Sequence, residues 1–127
     1  MQYSISKKVT LPFDKACEKV TEELKKEGFG VLTTIDVKET LKKKLDVDVP
    51  RYVILGACNP PFAHKALQAE EEIGLLLPCN VIVYEKEGTT SVAAFDPGVM
   101  SAIIDNPAIA SVADEVRARL VRVIAAM

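Results

Sequence analysis

The chain has 127 residues, with 16 lysines and arginines against 18 aspartates and glutamates, one histidine, three cysteines and no tryptophan. That length predicts one domain over residues 1–127, long enough to bury a core without disulfide staples. A hydrophobic share of 49%, a charged share of 27% and a net charge of −2 argue against a disordered chain and against a general nucleic-acid binder, which carries a basic excess.

No apolar run approaches the ~20 residues that span a bilayer. Residues 1–8 contain no apolar core of the kind a signal peptide needs. Three cysteines cannot all pair within one chain. A reduced, cytoplasmic protein, away from membranes and nucleic acids, is the expectation.

Residues 2–11 alternate, with Tyr3, Ile5, Val9 and Leu11 on one parity, and predict a strand with one wet face. The period then changes. Phe13, Ala16, Cys17, Val20 and Leu24 form one helical stripe, with Pro12 near its start and Gly28 placed for a left-handed C-cap. A second strand is expected at 29–37, with Phe29, Val31, Ile35 and Val37 on one face. A short lysine-rich helix at 38–45 follows, turning Leu41 and Leu45 inward.

Apolar strands are expected at 51–58, 80–86 and 89–95, the last two joined at Gly88. Between the first two of these, 61–73 reads as a helix whose inward stripe is Phe62, Ala66, Ala69 and Ile73. Asn106-Pro107 supplies a cap and first residue for a long C-terminal helix carrying Ile109, Val112, Ala113, Val116, Leu120, Val123 and Ile124 inward. The order β-α-β-(short α)-β-α-β-β-α predicts an α+β fold: a mostly antiparallel sheet with helices on one face.

Chemistry, if present, centres on Cys58-Asn59-Pro60 and Pro78-Cys79-Asn80. Each cysteine lies at a strand end, and Cys58 immediately precedes a helix, whose free amide hydrogens and dipole favour a thiolate. His64, about one turn into that helix, is placed to approach Cys58. Cys58, His64 and Cys79 are therefore candidate ligands for a divalent metal, and Cys58 a candidate nucleophile. Gly56, Asn59 and Asn80 complete a candidate ligand-binding set, with Gly56 marking a bulge or a close approach to the strand.

Each of these has a plainer counterpart. Cysteine is commonly small apolar filler, and His64 shares a helix face with Gln68 and Glu71, facing solvent. Separate strand ends argue against a Cys58–Cys79 disulfide but allow a shared cleft. Leu75-Leu76-Leu77 with Met100, Ile103 and Ile104 offers apolar surface in excess of one small core, which a symmetric homodimer would bury.

Three stretches together resemble a known family: 53–60 (Val-Ile-Leu-Gly-Ala-Cys-Asn-Pro), 73–81 (Ile-Gly-Leu-Leu-Leu-Pro-Cys-Asn-Val) and Asp96-Pro97. It is the small bacterial and archaeal domain-of-unknown-function family 302. The resemblance runs from the first strand to the last helix and rests on Gly56, Cys58, Asn59, Pro60, Pro78 and Cys79. It implies a topology like that of the TATA-box-binding protein and a homodimer, without DNA binding or any established activity. The expected function is a small-ligand or metal-binding cleft near Cys58 and Cys79. A thiol-dependent redox or sulfur-handling enzyme is the first alternative, and an interaction domain with inert cysteines the second.

Overall fold

The computed structural model describes residues 2–127. β1 (Ser4–Val9) leads into α1 (Phe13–Lys26), β2 (Gly30–Asp36), α2 (Val37–Leu45) and β3 (Tyr52–Cys58). α3 (Pro60–Ala69) and a 3-10 segment (Glu71–Leu76) precede β4 (Cys79–Lys86) and β5 (Thr89–Phe95), with α4 (Gly98–Ile103) and α5 (Pro107–Ala125) closing the chain. The five strands form one antiparallel sheet in the order β1-β5-β4-β3-β2. The expected α+β class is what the chain adopts.

The core lies between one face of this sheet and the helices α1 and α5. Phe13, Ala16, Val20 and Leu24 of α1 and Val116, Leu120, Val123 and Ile124 of α5 are buried there against Leu55, Val81, Val83, Val92 and Ala94. α1 ends as its glycine dictates. Gly28 takes φ +87°, so Phe29 N–H donates to the Leu24 carbonyl at 2.9 Å and Gly28 N–H to that of Lys25 at 3.0 Å. The β4–β5 turn likewise puts Glu87 and Gly88 at φ +52° and +77°, the paired left-handed geometry that matches strand twist. No helix among the described residues is long and apolar enough to cross a membrane.

Four expectations change. In β2 the register shifts between Val31 and Thr33. Leu32 is the extra residue, so Val31 pairs with Ala57 on the core side while Ile35 pairs with Ile54 on the open side. The two do not share a face. Leu45 is 66% exposed: α2 packs mainly against β2 and β3 at the sheet's end and leaves its last turn in solvent.

The helix expected to run to Ile73 stops at Ala69. There Asn106 Nδ2 donates to the Ala69 carbonyl at 3.2 Å and to Glu70 Oε1 at 3.0 Å, and the chain continues as 3-10 turns rather than an extended return. α4 was not expected from periodicity. Its six residues start where Gly98 N–H donates to Asp96 Oδ1 at 2.8 Å, and Arg117 Nε reaches both Asp96 oxygens at 3.1 Å.

The sheet's second face carries an uncharged row, one residue from each strand: Ile35, Ile54, Ile82, Ala93 and Ser6. Beside it Tyr52 and Tyr84 stack with ring centroids 5.6 Å apart. Of the apolar excess noted above, Leu75 and Ile103 stay exposed, while Met100 is buried and Leu76, Leu77 and Ile104 pack beside it.

Candidate functional site

Alternation along β4 sends Cys79 to the core side with Val81 and Val83, and its register partner is Ala57. Cys58 ends β3 one residue later, at the same end of the sheet. Over that end lie α3, α4 and α5. Small residues face the space there, with Ala63 and Ala66 on α3 and Ala113 on α5. A cavity of about 350 Å³ remains.

Cys58, Asn59 and Cys79 all line it, together with Phe62, Val112 and Val116. Both cysteine corners thus open into one hollow. At the wall contributed by β2, the bulge presents Leu32, which is 69% exposed, and α3 presents Leu67, 41% exposed. No charged residue and no histidine is part of the lining. The volume falls within the range of small-molecule pockets, whose walls are mostly apolar.

The remaining candidates stand apart from this space. His64 is exposed and does not line the cavity. Asn80 is exposed and pairs with Gly56, so alternation turns it to the opposite face from Cys79. Gly56 has a packing reason: a Cβ there would strike Thr33 Oγ1 and come within 3.0 Å of Pro78 Cγ. The bulge lies in the neighbouring strand, just before Thr33, and what approaches Gly56 closely is a pair of side chains.

Among the described residues, no three histidine, cysteine, aspartate or glutamate side chains gather as a group able to hold a metal ion. Cys58 and Cys79 thus have no third side-chain donor of these types grouped with them among the described residues.

The start of α3 differs from the expectation of free amide hydrogens beside Cys58. Its first two residues are Pro60 and Pro61, and neither has an N–H. Two of the four donors that an ordinary helix start would offer are missing. Burial pushes the Cys79 thiol up to about 11, with the charge of Cys58 adding to the effect, so near neutrality it stays protonated and a poor nucleophile.

Asn59 is buried, at 7% exposure. Its Nδ2 donates to the Glu27 carbonyl at 3.1 Å, which also receives Arg119 Nη1 at 3.1 Å. Arg122 holds the Glu27 carboxylate at 2.8 Å and keeps its pKa below the usual range. This knot ties the α1–β2 turn to α3 and α5. The guanidinium of Arg119 lies 5.1 Å from the centroid of Phe62, fixing that ring in the cavity wall.

Sequence reasoning found the cysteines and Asn59 but assigned Phe62 and Ala66 of α3 and Val112, Ala113 and Val116 of α5 to ordinary core. The available signal was the run of alanines on two helices facing the same sheet end.

A family model described as "Domain of unknown function DUF302" matches residues 5–127. The crystal structure of an uncharacterized conserved protein DUF302 from Bacillus stearothermophilus is similar, with a TM-score of 0.91 and 31% sequence identity over 98% of each chain. No curated protein matches the chain.

Proposed function

The chain belongs to the DUF302 family of domains of unknown function, and from its cavity we propose that it binds a small, largely apolar molecule beside Cys58 and Cys79. The observation that carries this is the uncharged lining of the 350 Å³ space. An enclosed apolar void forgoes packing at roughly 24 cal/mol per Å³, so even a partly open one of this size is a cost that an occupant removes. Leu32 and Leu67 at the exposed wall give an apolar molecule a surface to enter by. The raised pKa of Cys79 and the proline start of α3 favour binding over thiol chemistry.

Naphthalene, added to the full-length chain and followed by methyl chemical shifts, tests this. Saturable shifts at Val112, Ala113 and Val116 are expected. Ala113→Leu adds three carbons to the wall, so it should narrow the space and weaken the shifts while the fold is kept. Shifts that are absent, or that persist unchanged in Ala113→Leu, would overturn the proposal.

We also infer that two copies pair through the open sheet face. Its central row carries no charge, and Lys8 is the one charge in the adjoining Tyr52–Tyr84–Ser91–Lys8 row, so the surface opposes a second copy of itself without repulsion. Five strands at ~4.8 Å by three rows at ~7 Å give a plane of roughly 500 Å². With side-chain relief this approaches the ~800 Å² per partner of a standard interface.

A further inference from the structure

The cavity has a direction. Its closed end is walled by buried residues, among them Phe29, Ala57, Cys79, Met100 and Val116. Among the described residues of the lining, three are exposed: Leu32 and Thr33 of β2 and Leu67 of α3. The space therefore meets water between the edge strand and α3. The β2 bulge sets Leu32 at this rim, since it is the residue left without a partner between Val31 and Thr33.

Resting on the apolar-ligand reading above, we propose that the occupant is a single-chain amphiphile. Its hydrocarbon tail fills the closed end, and its polar head stays in water beyond Leu32 and Leu67.

Solvation fixes that orientation. A head drawn inside would give up its water within a wall that has no charged side chain, and whose one amide, Asn59, already donates to the Glu27 carbonyl. The rim, in contrast, rewards a tail. Leu32 is 69% and Leu67 41% exposed, and a compact hydrocarbon seated in the closed end leaves both in water. A chain running out between them covers both, and gains with each methylene so placed. The β2 side of the opening, residues 31–35, carries no charge, so it sets no requirement on the sign of the head.

Hexyl, heptyl and octyl β-D-glucoside, each below its critical micelle concentration, are titrated into the full-length chain. The sugar head is the same throughout and too polar to be drawn inside. Affinity should rise about three- to fourfold with each added methylene. The methyl resonances of Val112, Ala113 and Val116 should shift, and those of Leu32 with them, while glucose alone leaves them unmoved. Octyltrimethylammonium should bind within about fivefold of octyl glucoside. Leu32→Asp, at an exposed position, should weaken octyl glucoside about fivefold or more. Leu75→Asp, which is exposed and outside the lining, should leave it within about twofold. Affinity indifferent to chain length or to Leu32→Asp, shifts caused by glucose alone, or a preference between the two heads of more than about tenfold would overturn this inference. So would glucosides that leave the buried wall unmoved while naphthalene still shifts it, with the apolar cavity left standing. Failure of the glucosides and naphthalene alike would remove both.

Discussion

Gly56 and Cys79 show how single positions at this sheet end are constrained. Replacing Gly56 by alanine drives a Cβ into Thr33 Oγ1 and Pro78 Cγ, so one strand or the other must shift. A loss of about 1–3 kcal/mol is expected in urea denaturation. Thr33→Ala in the same chain should return part of it, because the clash is with the hydroxyl. Gly74, whose added Cβ meets nothing within 4 Å, is the control and should tolerate alanine nearly unchanged. Cys79 gives a pH signature. Its thiol titrates near 9 when free and at about 11 in the fold. The unfolded chain therefore loses its proton first, and stability complete below pH 9 should decline between pH 9 and 11. The drop is of the order of 2–3 kcal/mol. Cys79→Ala should flatten that limb of the curve, and native Cys79 should resist iodoacetamide at pH 8.

Among the elements, the junction of α3 with α5 depends on Asn106. Its Oδ1 accepts from Ala108 N–H at 3.0 Å, capping α5, while its Nδ2 closes the end of α3. Asn106→Ala should cost about 1–2 kcal/mol. It should also raise amide exchange through Glu71–Leu76, which a cap acting on α5 alone would not do. The helical stripes of α1 and α5 and the Gly28 and Gly88 turns were readable because each depends on residues adjacent in sequence. The bulge at Leu32 was not, since Val31-Leu32-Thr33-Thr34-Ile35 contains no alternation from which to place an extra residue. α4 is too short to display a period. Its start is written instead in Asp96, whose carboxylate is shared with a helix twenty-one residues away.

At the scale of the molecule, the sheet covered on one side and open on the other leads to an association prediction. Ile82→Lys places a charge in the middle of the uncharged row. Light scattering over a dilution series should find the parent chain dimeric and the variant monomeric, with helical content unchanged. A parent that is monomeric at every concentration, or a variant that still pairs, would overturn the sheet-face interface. The cavity belongs to this scale too, which explains why its helical walls are absent from the linear reading. Alanine on a helix signals close packing as readily as vacancy. Which of the two occurs depends on how α3 and α5 are seated over the sheet end, here by the Glu27 knot and by Asn106. A cleft shared by Cys58 and Cys79 could be suspected from the sequence, but not that its walls would be apolar side chains of α3 and α5.

The paired prolines that open α3 carry one more implication. The exposed amide hydrogens of a helix start are a ready site for phosphate groups. Here the turn out of β3 withholds two of them. An anion at this corner would meet half the free amide hydrogens that an ordinary helix start presents.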